Sequence, residues 1–185
     1  MCGCNKNKTT TLLPPPRSAT WRPALAPVSS LLPDYTVTPA VLAEPAPESV
    51  PTTVWGPPLW KALHIAAHHT QYKSQMATWK MLLSALRSCL PCPECAGHYT
   101  NWHDSHPLQF SMFPTGFNNS IIVWLKDLHN SVNARLGKPF MVTQEVNVIY
   151  GGRRPEKLAE GRAALQSLQG VLGKSAYDIL FSLLH

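Results

Sequence analysis

The sequence predicts an all-α protein, a four-helix bundle with one or two additional C-terminal helices behind a disordered, proline-rich N-terminal tether. Three observations carry this. Twelve of the 18 prolines fall before residue 59, so regular structure is excluded there and permitted afterwards. From Trp55 onward, apolar residues recur at three- and four-residue spacing in one segment after another. Those segments are separated by proline, glycine and polar clusters of the kind that end helices.

Residues 1–53 form the expected tether. Pro14-Pro15-Pro16, Pro23, Pro27, Pro33, Pro39, Pro45, Pro47 and Pro51 break any register, and mostly Ala, Ser, Thr and Val lie between them. The first helix is expected to start at Pro57-Pro58 and to run through Leu59, Trp60, Leu63, Ala66 and Ala67 to about Tyr72. A second fits Gln75–Ser88, with Met76, Trp79, Leu82, Leu83 and Leu86 as its stripe. Pro91 and Pro93 interrupt, and a third runs from Pro93 to about Asp104. The segment from His106-Pro107 to Pro114-Thr115-Gly116 is a connection. Asn118 or Asn119 caps a fourth, long helix through Ile122, Leu125, Leu128, Val132 and Leu136, stopped by Gly137 and Pro139. Val142–Tyr150 reads as a short extended piece at most. Pro155–Leu172 and Ser175–Leu184 both look helical, with Gly173 between them.

A chain of 185 residues holds one domain of ordinary size plus tails. Its formal charge of +6 is spread along the sequence, with no Lys/Arg run interleaved with aromatics, so nucleic acid is not the expected partner. No stretch reaches the roughly 18 apolar residues that span a bilayer. Met1–Lys8 is followed by Thr and Pro rather than an apolar core, so no signal peptide is expected and a cytoplasmic location is. Five cysteines in such a chain point to catalysis or metal rather than to a disulfide framework.

Cys92-Pro93-Glu94-Cys95 is the centre of that chemistry. Pro91 stops one helix and Pro93 suits the first position of the next, which places Cys92 at the cap and Cys95 in the first turn. Backbone N–H groups there favour a thiolate, and two sulfurs three residues apart can close or open a disulfide with little chain movement. Cys89 makes the spacing Cys89-x-x-Cys92-x-x-Cys95, which also fits part of a zinc or iron–sulfur site completed by His98, His103 or His106. A binding module of that kind is the alternative. A further rival is a virion or scaffold component in which the helical tail does the work. Trp60, His64 and His68 share a face of the first helix, and His129 and Asn133 share a face of the fourth, with Lys138 just past its end. Such a set can line a pocket for a planar ring with a diphosphate tail, or it can be core histidines with satisfied hydrogen bonds.

Three blocks taken together carry a resemblance: Trp55-Gly56-Pro57-Pro58-Leu59-Trp60 with His64, then Cys92-Pro93-Glu94-Cys95 with His98-Tyr99, then His129-Asn130-Ser131-Val132-Asn133-Ala134-Arg135-Leu136-Gly137-Lys138-Pro139. Over roughly residues 54–140 the chain resembles the Erv/ALR family of FAD-linked sulfhydryl oxidases. The short Cys-Pro-x-Cys-x-x-His-Tyr form is most similar to the compact members encoded by large DNA viruses. The resemblance implies a four-helix bundle holding FAD at its mouth, usually in a homodimer. It implies electron flow from substrate thiols to Cys92 and Cys95, then to flavin, then to oxygen with release of hydrogen peroxide. By position, Cys95 lies against the flavin and Cys92 exchanges with incoming thiols. Trp60, His64, His68, His129, Asn133 and Lys138 fall where the family contacts FAD, and Tyr150 stands near a later aromatic contact.

The resemblance divides the chain into a tether (1–53), an FAD-binding domain (54–142) and a C-terminal helical extension (143–185). No Cys follows Cys95, so a disulfide joining the third and fourth helices, common in organellar members, is absent. The family usually needs a second, mobile Cys pair, and Cys2-Gly3-Cys4 at the tip of the tether is the candidate. The expected partners are thiol-bearing proteins or a thioredoxin-like carrier, and molecular oxygen. No metal is expected, nor any membrane. The expected compartment is host cytoplasm or virion, with an organelle the lesser choice. Cys89 receives no role.

Overall fold

The computed structural model describes residues 50–71, 73–110 and 116–185. Within these it is all-α: seven helices run α1 (Thr52–His69), α2 (Gln75–Cys89), α3 (Pro93–Ser105), α4 (Phe117–Arg135), α5 (Thr143–Tyr150), α6 (Arg154–Gln166) and α7 (Lys174–Leu183). The expected disorder of the tether and the Cys2-Gly3-Cys4 pair lie outside the described residues, apart from residues 50–53.

α1 is the central element. It buries Trp55, Leu59, Ala62, Leu63, Ile65, Ala66 and Ala67, nearly all the way round, as a helix enclosed by others must. α4, α5, α6 and α7 all pack against it. It starts five residues earlier than expected, so Pro57 and Pro58 sit inside it and withhold two backbone donors from its first turns. The entry is anchored instead by the Trp55 indole, whose N–H donates to the Val50 carbonyl at 3.1 Å. The α1–α2 connection closes on a buried polar chain. Trp79 Nε1 donates to Thr70 Oγ1, and that hydroxyl donates to the Ala66 carbonyl, both at 2.8 Å. The Trp79 indole and the Thr70 hydroxyl thereby both have partners, which avoids the desolvation cost of leaving either bare.

α3 is fastened to α2 by the Tyr99 hydroxyl, which donates to the Leu83 carbonyl at 2.6 Å, and by Arg87, which reaches His103 and Asp104. It runs antiparallel to α4. At one end the Trp124 indole donates to the His106 carbonyl at 2.6 Å, and at the other Arg135 pairs with Glu94 at 2.9 Å. α4 ends as Gly137 predicted. That residue takes φ +63°, Lys138 N–H returns to the Asn133 carbonyl, and Gly137 N–H to that of Ala134, the paired bonds of a Schellman turn.

Two expectations are corrected. Val142–Tyr150 is helical rather than extended, so three helices follow α4 instead of one or two. Its apolar residues fall at helical spacing, with Val146 and Tyr150 buried one turn apart. Glu145 supplies the start by accepting the Val142 N–H at 2.9 Å. The helix expected over Pro155–Leu172 stops at Gln166, and residues 167–172 continue as turns through Gly170 at φ +76°.

The last two helices are part of the core. α6 lies along α1 and α7 along α2. Leu158, Leu165, Leu168, Leu172, Ala176, Leu180, Leu183 and Leu184 are all buried. Both contacts depend on glycine at a close approach. A Cβ on Gly161 would stand 2.8 Å from Leu184 Cδ2 and 3.1 Å from Ile65 Cγ2. One on Gly173 would stand 2.8 Å from Cys89 Cβ and Sγ, where the Gly173 N–H also donates to the Cys89 carbonyl at 2.9 Å.

Candidate functional site

Four rings from three helices meet beside the middle of α1. Trp60 and His129 stack face to face, with centroids 4.1 Å apart and planes 3° from parallel. His64 lies one turn along α1, with its Nε2 3.3 Å from His129 Nδ1, so one of the two nitrogens carries the proton between them. Tyr150 of α5 stacks on the other side of His64 at 4.6 Å. The i, i+4 spacing of Trp60 and His64 and the register of α1 against α4 produce this arrangement.

His64 is fully buried, and its Nδ1 has no hydrogen-bond partner. Burial above all, then the neighbouring His129 and His68, hold its pKa down to about 3. Burial and then Lys138 hold His129 down to about 4. Both imidazoles are therefore neutral at pH 7, and the cluster is an aromatic wall rather than a cationic one. His68 sits at its edge. Its Nδ1 donates to the His64 carbonyl at 2.8 Å, and its Nε2 lies 3.0 Å from Asn147 Oδ1. Since a carbonyl only accepts, a neutral His68 requires the Asn147 amide to present its NH2 instead.

Asn133 and Lys138 do not join the rings by hydrogen bonds. The buried Asn133 donates to the Pro139 carbonyl at 3.1 Å. Asn130 works beside it, donating to the Met141 carbonyl and accepting the Met141 N–H, both at 2.9 Å. These two amides tie residues 139–141 back along α4 and so set the course of α5 and of Tyr150. Lys138 is exposed at this turn, close enough to His129 to depress its pKa. Two surface hollows, one lined by Gln144, Glu145, Val148 and Ile149 and one by Leu108, Asn119, Val123 and Trp124 among others, contain none of the rings. The rings are in direct contact with one another.

Cys92 and Cys95 form a disulfide, with Cα atoms 5.2 Å apart. Cys92 is the N-cap of α3, with Pro93 in the first turn, and its Sγ accepts the Cys95 N–H at 3.2 Å. Both residues are partly buried against the core. The Glu94–Arg135 pair ties this turn to the last turn of α4. Arg135 lies six residues beyond His129, about 9 Å along the helix axis. Cys89 does not belong to this arrangement, since it ends α2 against Gly173 as a free, partly buried thiol. Among the described residues no three His, Cys, Asp or Glu side chains gather at metal-binding spacing. Asn130, Asn147 and Glu94 were missed by sequence reasoning. For Asn130 the signal was its place in the His129–Pro139 block; the other two have partners that only the packing reveals.

Comparison with known proteins bears on this geometry. The family model described as Erv1 / Alr family matches residues 57–150, from the first helix to Tyr150 at the end of α5, and leaves α6 and α7 beyond it. An FAD-linked sulfhydryl oxidase of African swine fever virus (isolate Pig/Kenya/KEN-50/1950) is 32% identical over 104 residues, 52% of this chain and 79% of the relative. A frog virus 3 protein is 31% identical over 103 residues, 52% of this chain and 66% of the relative. The FAD-linked sulfhydryl oxidase ERV1 of rice is 33% identical over 95 residues, 50% of this chain and 46% of the relative. The chain thus spans from about half to about four fifths of the length of these relatives. A helical bundle with this ring cluster and this capped disulfide, matched over half its length, belongs to the Erv1 / Alr family.

Proposed function

We propose that the protein is an FAD-dependent thiol oxidase that forms disulfides in protein or small dithiol substrates. The observation that carries this is a Cys92–Cys95 disulfide capping α3 in a chain of this family. In the exchange step a substrate thiolate attacks Cys92 Sγ, the Cys92–Cys95 bond breaks, and Cys95 leaves as a thiolate. The second substrate thiolate then attacks its own sulfur in the mixed disulfide and releases Cys92. The substrate has lost two electrons and the pair has gained them. The N–H groups at the start of α3 favour this chemistry by stabilising a thiolate on Cys92.

The residues fit the cofactor. His64 and His129 are neutral, Trp60 and Tyr150 are flat and aromatic, the Nδ1 of His64 is a polar atom without a partner, and the exposed Lys138 suits a diphosphate; the rings, which stack on one another here, must part to admit a planar ring. On this reading Trp60, His64, His68, His129, Asn133 and Lys138 contact FAD, and Asn133 also holds the turn that presents Lys138 through its bond to the Pro139 carbonyl. FAD held there would supply a two-electron acceptor for the dithiol, with oxygen as the final acceptor and hydrogen peroxide as the product. Cys95 faces the cofactor and Cys92 the substrate. Cys2 and Cys4 serve as a second exchanging pair.

A homodimer, a thioredoxin-like carrier and a place in host cytoplasm or virion complete the proposal. Since α6 and α7 cover the outer sides of α1 and α2, a second copy has to use another face. No helix among the described residues is long and apolar enough to cross a membrane.

Purification tests the whole reading. The protein should be yellow, bleach with dithiol when oxygen is excluded, and recover its colour in air with formation of peroxide. Cys95→Ala should stop turnover while leaving flavin bound. A colourless protein carrying stoichiometric zinc would overturn the proposal.

A further inference from the structure

Glu94 stands between the two cysteines, and the exchange chemistry above assigns it nothing. Its carboxylate takes the Arg135 guanidinium at 2.9 Å, joining the first turn of α3 to the last turn of α4. Both positions matter electrostatically. A carboxylate in the first turn of α3 competes with a Cys92 thiolate for the same end of the helix dipole and repels it directly. A guanidinium paired with that carboxylate cancels the repulsion without removing the helix N–H groups that favour the thiolate. The pair also spans two helices and is the bond that ties the dithiol turn to the helix carrying His129.

Among the described residues, the charged and titratable groups around this turn are few. On α3 they are Glu94 and His98, and on α4 Arg135. His98 is held low chiefly by burial, then by Arg135, with Glu94 opposing, so it stays neutral at pH 7. On α2, Arg87 is committed to His103 and Asp104 towards the far end of α3. On α7, Lys174 is paired with Asp178 at 2.5 Å. Among the described residues Arg135 is thus the cation that faces Glu94.

We infer that Arg135 is a positioning residue for the dithiol. Acting through Glu94, it fixes the Cys92–Cys95 turn on the end of α4 and neutralises the carboxylate that would otherwise oppose the Cys92 thiolate. The inference rests on the thiol-exchange reading of this site, but its test reads the thiol itself and not turnover.

The full-length protein, reduced and with oxygen excluded, is treated with iodoacetamide across a pH series, and the alkylation rate at Cys92 is followed by mass spectrometry. Arg135→Gln should raise the midpoint of that profile by about half a pH unit, the effect of one exposed charge nearby, and slow alkylation about threefold at pH values below the midpoint. Arg135→Lys should recover most of the loss. Glu94→Gln with Arg135→Gln should return close to the profile of the parent protein, because the two opposed charges of the pair are removed together. An unchanged profile in Arg135→Gln overturns the inference, as does a double variant that keeps the shift. If the alkylation profile shifts as expected in a protein that binds no flavin, the oxidase proposal fails and this one stands.

Discussion

Lowering the pH tests the buried histidines at the centre of the bundle. His64 is held neutral, with a pKa near 3, against about 6.5 when the chain is unfolded. Between those values the unfolded chain binds a proton that the folded chain refuses, so stability is complete above about pH 6.5 and is lost as the pH falls. At pH 4.5 the unfolded imidazole is almost fully protonated and the folded one is not. The loss relative to pH 7 is therefore about 2.5 kcal/mol for this ring alone. The figure depends chiefly on the unfolded value and changes little if the folded one lies a unit either way. Burial depresses His129, His69 and His98 in the same direction. His64→Gln removes the titration while retaining a group able to meet His129. Urea unfolding followed by far-UV circular dichroism at pH 7 and 4.5 gives the test. The variant should lose about 2–3 kcal/mol less than the parent protein between the two pH values. Equal losses would refute the buried, neutral assignment of His64.

Two further substitutions probe the scaffold of the site. Gly173→Ala drives a methyl to within 3 Å of the Cys89 side chain and backbone, and backbone cannot retreat as a side-chain tip can. It should cost about 2 kcal/mol, seen as a lowered thermal midpoint, and should raise the reactivity of Cys89 to maleimide. Asn130→Ala deletes both hydrogen bonds to Met141 and frees residues 139–141 from α4. It should cost about 1–3 kcal/mol and increase the fluorescence change of Tyr150 and Trp60 on mild heating.

The helices that form the bundle were legible because their apolar spacing agrees with local signals. Pro93 after Cys92, Gly137 after Leu136 and the stripe from Met76 to Leu86 each point one way, and the structure follows. Trp60 and His64 were legible as one face for the same reason, since helical spacing fixes which side chains share a face; that His129 of α4 stacks on Trp60 is tertiary, and only the family resemblance had joined them. α5 was not legible. Its Val142, Val146, Val148 and Ile149 have strand-like propensity, and a Val at the N-cap hides the start that Glu145 provides. Its helicity follows from burying Val146 and Tyr150 beside α1, which is tertiary information. The early start of α1 was likewise concealed, because Pro57-Pro58 suggests a helix beginning and not a helix interior. Cys89 had no legible role because its partner, Gly173, is distant in sequence.

The packing of α6 and α7 on α1 and α2 has a consequence during synthesis. The inner residues of α1, from Ala62 to Ala66, are made about 100 residues before Leu158 and Leu165 arrive to cover them. At roughly 5–20 residues per second that is an interval of about 5–20 s in which the apolar outer sides of the first two helices have no permanent cover. Chaperones that hold nascent chains would meet this protein at that face, and a ribosome stalled before residue 158 would present it indefinitely.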